Sequence, residues 1–189
     1  MSMIHTKPCV ITNTEILKGE HLYNIIENEL IYSVFQPLID LKTGDIFGYE
    51  ALSRLNKYDI IKNPEDLFIT AQKFGETARL EKICRKKALI RANELQIPGY
   101  LTINICPSVI KSSNYEKGTT LALIRELTNI KNTIILELTE RCYIENYCLF
   151  KKAVDYYRNQ GFRIAIDDLG SGNSDLKKLL QIEPYMVKN

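Results

Sequence analysis

Five apolar runs in this chain each bring a polar group late in their length. IFGYE ends on Glu50, LTIN on Asn104 and IILE on Glu137; RIAIDD ends on Asp167 and Asp168, and MVK carries Lys188. A carboxylate inside an apolar strand is costly unless it is paired, hydrogen-bonded or bound to a cation. Each residue alone has an ordinary explanation. Glu50 could lie on a solvated face or pair with Arg54, Asn104 could bond a loop, and Glu137 could bridge to Arg141. Asp167 and Asp168 could cap the turn DDLGSG, and Lys188 could simply be solvated. Five strands doing the same thing at one end would require several accidents. In parallel α/β folds that end is the binding face. Four carboxylates and an amide, with an ammonium nearby, suit hard divalent cations such as Mg²⁺ or Mn²⁺. Adjacent Asp167 and Asp168 call for a cation, since like charges so close raise one another's pKa. Phosphate chemistry is the common use of such a site.

The elements that would position these groups follow from periodicity. EILKGEHLYNIIENELI has apolar residues at helical spacing, and SVFQPLIDL and DIFGYEAL read as a hairpin joined through Lys42, Thr43 and Gly44. Asn63 and Pro64 start a helix that Gly75 closes. LEKICRKKALIRANELQ is a second helix, its apolar face Leu80, Ile83, Cys84, Ala88 and Ala92, ended by Pro98 and Gly99. YLTINIC, TIILEL and FRIAIDD then alternate as strands with the helices TTLALIRELTNI, YCLFKKAVDYYRNQ and SDLKKLLQI, before YMVKN begins another strand. The alternation predicts an α/β protein with a parallel sheet between helices and an antiparallel first pair. It leaves open a closed barrel or an open doubly wound sheet. About six strands are expected, fewer than the roughly 250 residues of a complete barrel supply.

Composition narrows the function classes. The chain has 189 residues, 45% hydrophobic and 25% charged, which fits one sizeable core. A net charge of +2, with Lys and Arg scattered, gives no field that implies a nucleic acid polymer or an anionic membrane. Five cysteines without a C-x-x-C pair argue against a disulfide framework. Only His5 and His21 are available for a zinc site or a histidine triad, and both lie near the N-terminus. No signal-like or membrane-spanning run occurs, so a cytoplasmic protein is expected.

FQPLIDLKTGDIFGYEALSR, LTINICP, LELTE and DDLGSGNS, in that order, together resemble the EAL domain of cyclic di-GMP phosphodiesterases. The resemblance covers residues 20–189 and leaves 1–19 as a lead-in. It implies a modified TIM (β/α)8 barrel whose first strand is antiparallel. It also implies hydrolysis of cyclic di-GMP to linear pGpG with Mg²⁺ or Mn²⁺. By motif, Glu50, Asn104, Glu137 and Asp167 would hold one metal, and Asp168 would serve the second. Lys188 would orient or deprotonate the attacking water. Gln36, Leu52 and Arg54 would contact substrate, Arg54 through a phosphate, and Glu140 would steady the loop after Asp168. That loop departs from the family's DDFGTGYSS at Leu169, Asn173 and Asp175, which bears on metal coupling and on a homodimer.

The family's last two strands, with an AEGVE-like segment and a later glutamine-glycine segment, have no counterpart here. The expectation is therefore a barrel with about six strands present. Three readings follow: an active phosphodiesterase impaired by that incompleteness, a non-catalytic cyclic di-GMP receptor, or an interaction module. No GGDEF segment is present to indicate a regulatory input.

Overall fold

The structure is a computed structural model, and it describes residues 12–57, 59–111, 115–127, 134–139, 147–167 and 182–188. Helix α1 (Asn13–Glu27) opens with a capping box: Thr12 accepts from the Glu15 backbone N–H, and the Glu15 carboxylate accepts from the Thr12 N–H. Strands β1 (Ile31–Ile39) and β2 (Ile46–Leu55) form the expected hairpin. Its turn closes with the Gly44 N–H on the Asp40 carbonyl at 2.8 Å, Gly44 taking a φ of +79° that favours glycine. Helix α2 (Pro64–Lys73) starts as the sequence requires, with the Asn63 side chain accepting from the Asp66 N–H at 2.8 Å and Pro64 in the first turn.

Helix α3 (Thr77–Glu94), strand β3 (Tyr100–Asn104), helix α4 (Thr119–Leu127), strand β4 (Ile134–Thr139), helix α5 (Tyr147–Arg158) and strand β5 (Arg163–Asp167) then alternate. Strand β6 (Met186–Val187) ends the described chain. Residues 168–181, which hold the loop after Asp167 and all but the last residue of the expected helix SDLKKLLQI, and the end of TTLALIRELTNI lie outside the described residues.

The six strands form one sheet in the order β1-β2-β3-β4-β5-β6, antiparallel at the first pair and parallel thereafter. Its register decides which residues share a face, because side chains alternate along a strand. Gln36 lies opposite Glu50, Glu50 opposite Thr102, Asn104 opposite Glu137 and Glu137 opposite Ala165. Glu50, Leu52, Arg54, Asn104, Glu137 and Asp167 therefore share one face.

The opposite face carries Ala51, Leu101, Ile103, Leu136, Leu138, Ile164 and Ile166, which pack with Leu89 of α3, Ile124 of α4 and Phe150 and Val154 of α5 in the main core. A second cluster, around Leu22, Ile26, Ile31, Leu55, Leu67 and Leu80, fastens α1, α2 and α3 to the hairpin. Apolar burial of this kind contributes about 25 cal/mol per Å². One face of the sheet is thus glued to helices, leaving the polar groups together on the other.

Candidate active site

Lys188 occupies the centre of the polar face. Its Nζ donates to Glu50 Oε2 at 2.7 Å and to Glu137 Oε1 at 2.6 Å, and lies 3.2 Å from Asp167 Oδ2. Asn104 Nδ2 donates to the other Glu50 oxygen, Oε1, at 3.0 Å. Four strands and the residue after β6 thus bring five polar side chains into one hydrogen-bonded set.

Backbone bonds between neighbouring strands position Asn104 and Lys188. Asn104 is the last residue of β3, and the next N–H, of Ile105, bonds the Glu137 carbonyl at 2.8 Å, which locks β3 to β4 at the level of the site. Lys188 depends on the docking of its whole segment. The Tyr185 and Lys188 N–H groups bond the Ile164 and Ile166 carbonyls at 2.8 and 2.9 Å, and Arg158 donates to the carbonyls of Ile182 and Glu183. At the far end of the strands, the Arg163 guanidinium lies over the rings of Tyr100 and Tyr185, 5.2 and 4.5 Å from their centroids.

The electrostatics follow from burial. Glu137 has no exposed surface, and burial, with the Glu50 carboxylate beside it, pushes its pKa up to about 7 against the pull of Lys188. Burial works against the charge on Lys188, yet hydrogen bonds to Glu137 and Glu50 win, and the ammonium is held above its usual range. Lys188 therefore stays charged at any physiological pH. Glu50, only 7% exposed, is paired with Lys188 and Asn104 and not with Arg54. The Arg54 Nη1 instead donates to the Ser53 carbonyl at 2.9 Å.

The donor set suits a divalent cation. Glu137 Oε2 is buried with no hydrogen-bond partner, and three carboxylates already surround a positive charge, so the chemistry fits a hard cation. As they stand, no three His, Cys, Asp or Glu side chains among the described residues are grouped as metal ligands; the ammonium holds the centre between them. Asp168, the expected ligand of a second metal, and Glu140 lie outside the described residues.

Of the expected substrate contacts, Gln36 is exposed, and Leu52 and Arg54 are half-buried on the same face as Glu50. Sequence reasoning missed Glu81, whose Oε1 accepts the Cys106 N–H at 2.6 Å just beyond Asn104 while its Oε2 accepts from Arg85 Nη1 at 2.6 Å. A Glu four residues before an Arg on one helix was the available signal.

A mostly parallel α/β sheet, opened by an antiparallel pair and carrying acid, amide and ammonium groups where its strands end, defines the TIM-barrel-like class of proteins with a polar site at that face. The chain belongs to the EAL domain family, which it matches over residues 20–189. Among relatives, the cyclic di-GMP phosphodiesterase PdeA of Borreliella burgdorferi is 27% identical over 178 residues, 89% of this chain and 26% of that protein. The chain thus spans about a quarter of that curated relative's length. An EAL domain protein from Listeria monocytogenes EGD-e superimposes with a TM-score of 0.68 at 25% identity, over 95% of this chain and 68% of that one. The EAL enzyme Bd1971 in its cGMP-bound form gives 0.74 at 22% identity, over 99% and 51%. Its architecture is therefore that of the EAL domains.

Proposed function

We propose that this chain carries out the EAL reaction, metal-dependent hydrolysis of one phosphodiester bond of cyclic di-GMP to give linear pGpG. The observation that carries the reading is the convergence of Glu50, Asn104, Glu137, Asp167 and Lys188 on one point of the sheet. Relatives named as cyclic di-GMP phosphodiesterases support the same substrate class.

In this reading Glu50, Asn104, Glu137 and Asp167, joined by Asp168, would hold Mg²⁺ or Mn²⁺. Such an ion, when bound, activates a water and neutralises charge on the reacting phosphate. Lys188, held as an ammonium by Glu137 and Glu50 in this structure, would orient or deprotonate the attacking water. Arg54 offers a guanidinium to a phosphate oxygen from two residues beyond Leu52, which with Gln36 would flank the nucleotide. Glu140 would steady the loop that follows Asp168. A homodimer and a cytoplasmic location belong to the same proposal. No helix among the described residues is long and apolar enough to cross a membrane.

A second reading, a cyclic di-GMP receptor without turnover, is favoured by one feature: the carboxylates close on Lys188 and are not grouped as metal ligands among the described residues. One experiment separates the two. Calorimetric titration with Mn²⁺ and with cyclic di-GMP is combined with chromatography of pGpG, for wild type, Glu50→Ala, Asp167→Asn and Arg54→Ala. The enzyme reading expects Mn²⁺ binding weakened by Asp167→Asn and turnover abolished by Glu50→Ala. Arg54→Ala should weaken nucleotide binding by about 1–3 kcal/mol with Mn²⁺ affinity unchanged. Nucleotide binding without pGpG would establish the receptor, and absence of both would sink both readings.

A further inference from the structure

Helix α3 turns two charged residues inward, Glu81 and Arg85, 3% and 1% exposed, on a face otherwise made of residues such as Leu80, Cys84, Ala88 and Leu89. An ion pair in such surroundings adds little to stability, because desolvation offsets the attraction and apolar residues of similar volume do as well. Stability therefore does not account for it. What the carboxylate supplies, and a leucine could not, is an acceptor at a fixed point. Its Oε2 is held by Arg85 Nη1 at 2.6 Å, and its Oε1 takes the Cys106 N–H at 2.6 Å. Both bonds are charge-assisted and short.

The bond falls where β3 leaves the sheet. Pairing of β3 with β4 ends with Asn104 opposite Glu137, and the Ile105 N–H still reaches the Glu137 carbonyl at 2.8 Å. The chain then turns into a short 3-10 helix, Pro107–Lys111, whose Val109 N–H bonds the Cys106 carbonyl at 3.1 Å. Cys106 is thus fixed at both its backbone groups, its N–H by a side chain that comes from the helix layer. Two residues back, Asn104 donates to Glu50 at 3.0 Å across the polar face. Asn104 is exposed, so little packing holds its side chain and its direction follows from its backbone.

We propose that Glu81 is a positioning residue of the site: by holding the Cys106 N–H it fixes the end of β3 and keeps the Asn104 side chain aimed at Glu50. Arg85 serves it by pinning the other carboxylate oxygen. As a role in catalysis this rests on the proposed hydrolysis of cyclic di-GMP; as a constraint on Asn104 it does not. A displacement of about 1 Å in a reacting group can cost roughly a hundredfold in rate, so an anchor that touches neither metal nor substrate is enough to matter.

The test compares two double variants of the full chain that both lack the ion pair. Glu81→Gln with Arg85→Met keeps an acceptor for the Cys106 N–H, and Glu81→Leu with Arg85→Met keeps none; removing both charges together avoids leaving one buried alone. Where circular dichroism shows the second pair unfolded, Glu81→Met takes the place of Glu81→Leu. Nuclear magnetic resonance of the metal-free protein reads the end of β3. Exchange of the Ile105 N–H with solvent should be about tenfold faster in the second pair than in the first, the scale of one lost hydrogen bond. The order parameter of the Asn104 side-chain amide should fall in the second pair and stay near the wild-type value in the first. Calorimetric Mn²⁺ affinity should be about tenfold weaker in the second pair, and Asn104→Ala should abolish that difference, since Glu81 then has nothing to position. An Asn104 order parameter alike in the two pairs overturns the proposal whatever Ile105 does, as does an Mn²⁺ difference that survives Asn104→Ala. Absence of Mn²⁺ binding in wild type would sink the proposed reaction instead, and the metal-free measurement then decides the role of Glu81 alone.

Discussion

Glu137 and Lys188 are bound by opposite requirements: the carboxylate is fully buried, and the ammonium beside it satisfies one of its oxygens while the other stays unpartnered. Breaking such a pair from one side leaves an uncompensated charge. Lys188→Met should therefore cost on the order of 3–5 kcal/mol, read from urea denaturation, since three carboxylates lose their shared cation. Mn²⁺ should restore more stability to this variant than to wild type, because the ion replaces the lost charge. An equal effect on both would argue against a cation site here. Glu137 also sets a pH dependence. Its pKa is about 7 in the folded chain against an ordinary 4.5, so between those values the folded state holds a proton that the unfolded state has released. Stability should then fall as pH rises from about 4.5 to 7 and level off above, by on the order of 1–3 kcal/mol per group. Glu81, lifted to about 7 by burial, adds to the same window. Glu137→Gln should remove part of that slope in denaturation series across the window. A slope identical to wild type would show that Glu137 titrates alike in both states.

Helix starts and the hairpin were legible at the level of elements because their causes are local. Asn63 before Pro64 names a cap without any tertiary information, and the structure uses it. Asn63→Ala should cost about 1 kcal/mol in thermal or urea unfolding. The interior of α3 was not legible in the same way. Its apolar residues at helical spacing predicted the buried face, but that spacing does not mark Glu81 and Arg85, whose burial goes with the Cys106 N–H that reaches Glu81 from the segment after β3. Close approach of backbones is likewise invisible in a sequence. A Cβ at Gly48 would lie 2.2 Å from the Tyr100 carbonyl oxygen, so this glycine in β2 is required by the neighbouring strand. Gly48→Ala should force β2 from β3, costing about 1–3 kcal/mol. It should also weaken nucleotide or Mn²⁺ binding, because Glu50 and Asn104 lie just beyond on those two strands. A stable variant with normal binding would show that the strands separate without consequence for the site.

Across the whole molecule, the polar set assembles over long distances: Lys188 and Glu50 are 138 positions apart, and no local pattern joins them. The repeated placement of polar groups at strand ends made the set legible as a group, whereas the central position of Lys188 among the carboxylates depends on β6 docking beside β5. The same strand order leaves β1 paired only to β2 among the described residues. Pro37 in its second half blunts that edge, since proline offers no N–H to a partner strand. The first half has no such protection and exposes Tyr32 and Val34, at 46% and 36%. With a net charge of only +2, electrostatic repulsion between copies is weak. The chain should therefore self-associate through β1, its sedimentation coefficient rising with concentration in the micromolar range where exposed strand edges pair. Val34→Lys puts a charge on that edge opposite Leu52 and should hold the protein as a monomer over the same range, with the secondary structure unchanged. A wild type that sediments as a monomer throughout would mean that β1 is covered by another part of the chain, and an associating Val34→Lys variant would move the contact to a different surface.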